Sequence, residues 1–149
     1  MKLLKWLSVA DRFAKSYLDD QLAPLGINSS QHMYLLKICD QPGILQDSLL
    51  NCFYVHPSNI VRTIALLEKN GFLTKEPCEK DKRTCHLYPT KKALEIADKV
   101  RAICEGTESI LTDGLSEAEQ AEFGRLLLCV GKRITREQNV ERAEDEFDA

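Results

Sequence analysis

Hydrophobic residues recur at steps of three and four along most of the chain, which is the period of an amphipathic α-helix. The first stripe ends at Pro24 and Gly26, two residues that stop helices. Its members are Leu3, Leu7, Ala10, Ala14 and Tyr17, with Phe13 and Leu18 widening it. The pattern predicts a long first helix with one apolar face.

Two shorter helices are predicted next. Asn28 can cap the first of them with Gln31 at the reciprocal position of a capping box, and Pro42 and Gly43 end it. From Ile44 onward the spacing predicts another short helix that runs through Leu49 and Phe53 and breaks at residues 54–56.

Pro57 opens the following helix, because a proline is tolerated where the backbone N–H would be unpaired. This helix ends at Asn70-Gly71, a C-terminal cap signal. Its core face is predicted to hold Ile60, Ile64 and Leu67, and its opposite face Ser58, Asn59, Arg62 and Thr63. Two short helices joined by a tight turn, the second with a polar outer face, indicate a helix-turn-helix.

Residues 72–77 and 84–88 have strand character and flank the charged segment 79–83, which predicts a β-hairpin. Beyond it, Thr90 can cap one long helix, and Ser116 with Glu119 forms a capping box for another. The last helix carries an apolar seam made of Phe123, Leu126, Leu127, Val130 and Ile134. The prediction is a single domain over residues 1–149, mainly α with a small β-wing, and an acidic tail at 141–149.

The formal net charge of −3 argues at first against a nucleic-acid partner. The charge is unevenly distributed, however. Residues 56–92 contain eight basic and four acidic residues, and acidic residues dominate only after residue 92. The predicted helix-turn-helix and hairpin therefore form a positive face that suits a phosphate backbone.

No apolar run approaches a membrane span and no signal-peptide core precedes Asp11, so a cytoplasmic protein without a membrane partner is expected.

The six cysteines are scattered and are expected to be reduced. Cys78 and Cys85 flank the hairpin turn, which leaves thiol-based redox sensing open. With His86 they supply at most three ligands, so neither a metal site nor a cofactor is predicted.

The chain has no glycine-rich phosphate loop, nucleophile elbow or paired-histidine helix, so no catalytic residue is assigned and an enzyme is not expected.

The order of elements, together with specific residues, resembles the MarR/SlyA family of transcription regulators. The match covers about residues 3–134. It is most specific in four stretches, which are His56–Arg62, Leu67–Leu73, Asp81-Lys82-Arg83 and Tyr88–Lys92. They look like the family's recognition helix, its exit, its aspartate-x-arginine wing tip and the start of the next helix. His56 stands where the family usually has a serine or aspartate cap.

The resemblance implies a winged helix-turn-helix DNA-binding lobe at about residues 28–90, with dimerisation helices at 1–24 and 90–140. It further implies a homodimer that binds a pseudopalindromic double-stranded DNA operator, acts as a repressor, and is released by a small-molecule effector, phenolic or similar. The alternative functions are a winged-helix protein-interaction module and a thiol-based regulator.

The residues expected to bind DNA lie on the recognition helix and the wing. Arg62 can make bidentate contacts, Asn59 can read adenine, and Arg83 can enter a minor groove with Asp81 orienting it. The full set is Ser58, Asn59, Arg62, Thr63, Lys75, Lys82 and Arg83, with Asp81 in the orienting role. A solvated helix face and a charged hairpin edge remain the structural alternatives.

By resemblance, an effector pocket lies between the dimer helices and the DNA-binding lobe. The candidate lining residues are Trp6, Arg12, Phe13, His32 and Tyr34. Ordinary packing or surface exposure is the alternative for each of them.

Overall fold

The computed structural model describes residues 1–138. The helices are α1 (Leu3–Leu22), α2 (His32–Asp40), α3 (Leu49–Phe53), α4 (Pro57–Lys69), α5 (Lys91–Leu111) and α6 (Glu117–Glu137). The strands are β1 (Ile44–Leu45), β2 (Leu73–Pro77) and β3 (Cys85–Pro89). Short 3₁₀ turns occupy Ala23–Leu25 and Gln46–Ser48. The predicted tail at 141–149 lies outside the described residues, as does the end of the predicted 90–140 segment.

The strands form an antiparallel sheet in the order β1-β3-β2. Leu73 pairs with Pro89 and Pro77 with Cys85, so the predicted hairpin is present. The predicted short helix is present as α3, but its start at Ile44 was wrong, because Ile44 and Leu45 pair with Leu87 and His86 as a third strand. Two residues are too few to show an alternating pattern, and their partner lies more than forty positions away.

The start of α2 also differs from the prediction. Only half of the predicted capping box forms: the Asn28 N–H donates to Gln31 Oε1, but Asn28 Oδ1 accepts from the Ser30 N–H and not from the Gln31 N–H. These contacts close a turn, however, and the helix begins only at His32. The other two caps are as predicted, with Thr90 Oγ1 accepting from the Ala93 N–H and Ser116 and Glu119 forming a capping box.

One hydrophobic core joins the helix-turn-helix to the sheet and to α5. α4 contributes Ile60, Ile64 and Leu67, which are almost completely buried, and α5 contributes Val100. α5 packs against both α1 and α2, which fixes the long helices relative to the lobe. On the surface, Arg101 Nη2 of α5 forms a salt bridge of 2.5 Å with Asp40 Oδ1 at the end of α2. Helix α5 thus positions α2 and, through the core, α4.

Much of α1 and α6 is not covered by the rest of the chain. α6 has no buried residue. Its exposed hydrophobic side chains include the whole predicted seam, and α1 exposes Leu3, Leu4, Trp6, Leu7 and Phe13. No helix within residues 1–138 is both long enough and apolar enough to span a bilayer.

Candidate DNA-binding surface

The recognition helix candidate α4 begins with an unusual cap. His56 Nδ1 accepts from the Ser58 N–H at 3.1 Å, as a serine or aspartate cap would, and lies 2.7 Å from Ser58 Oγ. The preceding turn contains Tyr54 in the left-handed region at φ +48°. An L-residue pays roughly 1–2 kcal/mol for that conformation. The turn that aims α4 is therefore held by the packing around it, not by local preference.

The other end of α4 directs the chain into the wing. Gly71 adopts φ +79°, and the Phe72 N–H donates to the Leu67 carbonyl at 2.9 Å. Lys92 Nζ donates to the Asn70 carbonyl at 2.7 Å and lies over the Phe72 ring. A cation suits the carbonyl end of a helix, so Lys92 stabilises the junction between α4 and the wing.

Three of the four α4 residues predicted on the outer face are accessible. Ser58 and Arg62 are exposed, and Asn59 is half-buried. The prediction for Thr63 was wrong, because it is buried and its Oγ1 lies 3.5 Å from Asn59 Oδ1. Thr63 lies one turn from Asn59 on the flank of the helix that the core covers. It therefore supports Asn59 from within instead of facing outward.

Val61 is a residue that sequence reasoning missed. Its side chain is 56% exposed on the same turn as Ser58 and Arg62. An exposed β-branched side chain on the outer face of α4 is suited to contact a thymine methyl group. The signal was available, since Val61 stands between Ile60 and Arg62, off the core stripe of Ile60, Ile64 and Leu67.

The wing tip presents one guanidinium in a defined orientation. Arg83 Nε and Nη2 donate to the two carboxylate oxygens of Asp81 at 3.0 and 3.3 Å, while the Arg83 side chain is 89% exposed. The Arg83 N–H also donates to Asp81 Oδ1. These hydrogen bonds from Arg83 hold the pKa of Asp81 below its ordinary value.

The two wing lysines predicted to bind DNA differ in their surroundings. Lys82, next to Arg83, is exposed. On β2, Lys75 Nζ lies 3.8 Å from Glu68 Oε1 of α4, so Glu68 partly neutralises the charge of Lys75. Among the predicted wing cations, Arg83 and Lys82 are placed best to meet a phosphate backbone.

The predicted effector residues are not alike in their placement. Trp6, Arg12 and Phe13 are exposed on α1, with the Arg12 guanidinium 5.1 Å from the Phe13 ring centre. His32 is half-buried and donates Nδ1–H to the Ser29 carbonyl. The prediction for Tyr34 was wrong, because it is buried in the core of the lobe, with its ring against Phe53, and does not face an open cleft.

Neither cysteine of the wing has the features of a reactive thiol. Cys78 is buried. Burial also raises the pKa of Cys85, which lowers its thiolate fraction. The register pairs Cys85 with Pro77, not with Cys78. Within residues 1–138 no three His, Cys, Asp or Glu side chains are grouped so as to hold a metal ion.

Comparison with known proteins agrees with this architecture. Residues 27–85, which hold α2 to the first residue of β3, match the MarR family model. Over this segment the chain is similar to the MarR family of winged helix-turn-helix transcriptional regulators. Members of this family are regulators, in agreement with the expectation that the chain is not an enzyme.

Individual relatives extend the likeness over nearly the whole chain. The uncharacterized HTH-type transcriptional regulator YybA of Bacillus subtilis is 28% identical over 135 residues, which cover 91% of this chain and 90% of YybA. A MarR protein from Peptoclostridium difficile is 26% identical with a TM-score of 0.86, over 92% of this chain and 90% of that one. A MarR-family protein from Listeria monocytogenes, solved in complex with a 26mer DNA, shares the fold at 24% identity with a TM-score of 0.81, over 96% and 99% of the two chains.

Proposed function

We propose that this protein is a homodimeric repressor of the MarR type that binds a pseudopalindromic double-stranded DNA operator and is released by a small-molecule effector. The observation that carries the DNA-binding part is the wing tip, where Asp81 holds the exposed Arg83 guanidinium by two side-chain hydrogen bonds. Such a guanidinium suits the negative potential of a narrow minor groove. The outer face of α4, with Ser58, Val61 and Arg62, then lies in the adjacent major groove.

The single-domain organisation of residues 1–149 is part of this proposal, with a DNA-binding lobe at about 28–90. The Listeria relative in complex with DNA supports the choice of partner. The positive charge of residues 56–92 supplies the sequence-independent attraction, while the acidic excess lies in the long helices and beyond.

Exposed apolar side chains support the homodimer. The α6 residues Phe123, Leu126 and Leu127 and the α1 residues Leu3 and Leu7 are each about half exposed in the isolated chain. An exposed apolar helix face such as that of α6 marks an interaction site in a soluble domain. A two-fold pair of chains covers it and places two recognition helices about one DNA turn apart, roughly 34 Å.

Effector release fits a population shift. A ligand that binds better to a dimer with the wrong spacing of its recognition helices lowers DNA affinity by that difference. Trp6, Arg12 and Phe13 on α1, and His32 at the start of α2, lie on the elements whose packing against α5 would set this spacing.

Selection from random double-stranded DNA tests the proposal. The wild-type protein is expected to enrich an inverted repeat, and a fluorescent duplex with that repeat should bind one dimer. If the selected pool contains no inverted repeat, the operator-binding function is wrong and a protein-interaction module becomes the better account. Arg83→Ala, folded as judged by circular dichroism, is the matched variant that should bind the repeat more weakly.

A further inference from the structure

Asn59, the third residue of α4, is tied to the core of the lobe through its side-chain oxygen. The Tyr34 hydroxyl of α2 donates to Asn59 Oδ1 at 3.3 Å, and the Thr63 hydroxyl lies 3.5 Å from the same oxygen. Tyr34 is 3% exposed, and its ring packs against Phe53 with ring centres 4.6 Å apart. The two contacts to Oδ1 orient the half-buried amide with its oxygen toward the core of the lobe.

The fixed orientation limits what Asn59 can offer to DNA. An asparagine side chain has one acceptor oxygen and one NH₂ group with two donors. With the oxygen accepting from Tyr34 and Thr63, the NH₂ group is the part of the amide that remains to contact DNA. Recognition of adenine by asparagine uses both ends, since the oxygen accepts from adenine N6 while the NH₂ group donates to N7.

We propose that Asn59 reads DNA as a hydrogen-bond donor only, and that Tyr34 is the positioning residue that makes it so. This inference rests on the proposed DNA-binding function. The edge that accepts two hydrogen bonds in the major groove is that of guanine, through N7 and O6. Asn59 therefore selects guanine at its base position, which replaces the expectation that it reads adenine.

A merely structural role for Tyr34 would affect stability and overall affinity but not base preference. The preference is therefore the readout. Random-DNA selection is run in parallel on the wild type and on Asn59→Ala, Tyr34→Phe and Asn59→Asp. Thermal unfolding monitors the fold of each variant. Asn59→Ala should lose its base preference at one position of the motif. That position identifies the base that Asn59 contacts.

The inference predicts guanine at that position for the wild type. Tyr34→Phe removes the shorter contact to the amide oxygen and leaves only the longer one from Thr63, so adenine should gain at that position while the rest of the motif is unchanged. Asn59→Asp places an acceptor outward, so the preference should change to cytosine, whose N4 donates. Replacing the guanine by 7-deazaguanine removes one acceptor and should weaken wild-type binding roughly five-fold, the lower end for a specific base contact.

Each contrary result has a separate meaning. A wild-type motif that Tyr34→Phe leaves unchanged at every position overturns the inference and leaves the operator-binding function standing. Two other results would also overturn the inference and leave the operator-binding function standing. One is adenine at the Asn59 position in the wild type, and the other is an Asn59→Ala variant that loses affinity equally for all sequences. A wild type that selects no motif overturns the operator-binding function, and the inference with it.

Discussion

The Asp81 carboxylate and the Arg83 guanidinium form a two-point contact at the tip of the wing, with an exposed side chain held in one orientation. Arg83 Nε lies 3.0 Å from Asp81 Oδ1, and Nη2 lies 3.3 Å from Oδ2. Two residues apart in a turn, they form a local unit that needs no support from the core. An arginine fixed before binding loses less side-chain entropy when it meets DNA.

The role of Asp81 can be separated from simple electrostatics by Asp81→Asn. Loss of a negative charge alone would tighten DNA binding. We expect the opposite, a weakening of roughly three- to ten-fold, because ordering one long side chain costs about 0.5–1.5 kcal/mol. The measurement is the dissociation constant for the selected repeat at fixed salt. Glu79→Gln, the same change of charge in the same exposed turn, is the control and should not weaken binding.

The salt dependence of binding should report the Arg83 phosphate or groove contact. Arg83→Ala should weaken binding and reduce the slope of log K against log salt by about one per subunit contact. Arg83→Lys retains the charge but not the planar fork, so it should keep the slope and still lose affinity. A slope that Arg83→Ala leaves unchanged would exclude a direct contact between this residue and DNA.

Val61 is expected to contact a thymine methyl group. Its exposed side chain lies beside Arg62 on α4. Replacing single thymines of the selected operator by deoxyuridine removes only the methyl group, and one replacement should weaken wild-type binding several-fold. Val61→Ala should make binding insensitive to that replacement. Equal losses in the wild type and in Val61→Ala would assign the methyl contact to another residue.

His32 should make stability fall on the acid side of its ordinary pKa of 6.5. Burial lowers the pKa of His32, although the Ser29 carbonyl and Asp19 oppose the shift. The unfolded chain therefore binds more protons than the folded one as the pH drops below 6.5, which favours unfolding. His32→Asn should flatten this part of the pH profile of the melting temperature. The control is the profile well above pH 6.5, where His32 is neutral in both states and should contribute no slope.

Dimerisation through α6 is tested by placing a charge in its seam. Leu127 is 48% exposed in the isolated chain, among Phe123, Val130 and Ile134. If α6 is buried between subunits, Leu127→Glu should yield a monomer in light scattering and abolish binding to the inverted repeat. Ala121→Glu, a charge on the opposite side of the same helix, should remain dimeric. A Leu127→Glu dimer as stable as the wild type would place the interface elsewhere.

Local signals in the sequence were enough for most helix boundaries. Pro57 and Asn70-Gly71 delimit α4, and Thr90 and Ser116 cap α5 and α6. Each signal acts within one turn, through a side chain that satisfies a backbone group nearby. The Asp81–Arg83 contact is local in the same way, so the wing tip could be anticipated from spacing alone.

Other features depend on contacts between distant segments. The pairing of Ile44 with Leu87 made a strand where the spacing predicted a helix, and the turn at Asn28 delayed α2 until His32. Lys75 was expected to meet phosphate, but Glu68 of α4 lies beside it. None of these neighbours can be read from the segment itself.

By itself, then, the sequence determined the order of the helices, the hairpin, the caps of α5 and α6 and the positive segment that suits DNA. Only the tertiary structure decided how far the core extends around the flanks of α4. It placed Thr63 inside, left Val61 outside, and turned the Asn59 amide oxygen toward Tyr34. Periodicity defines the centre of a helix face, but residues on its flanks are assigned by the neighbouring elements that pack there. The residues proposed to read bases lie near that boundary.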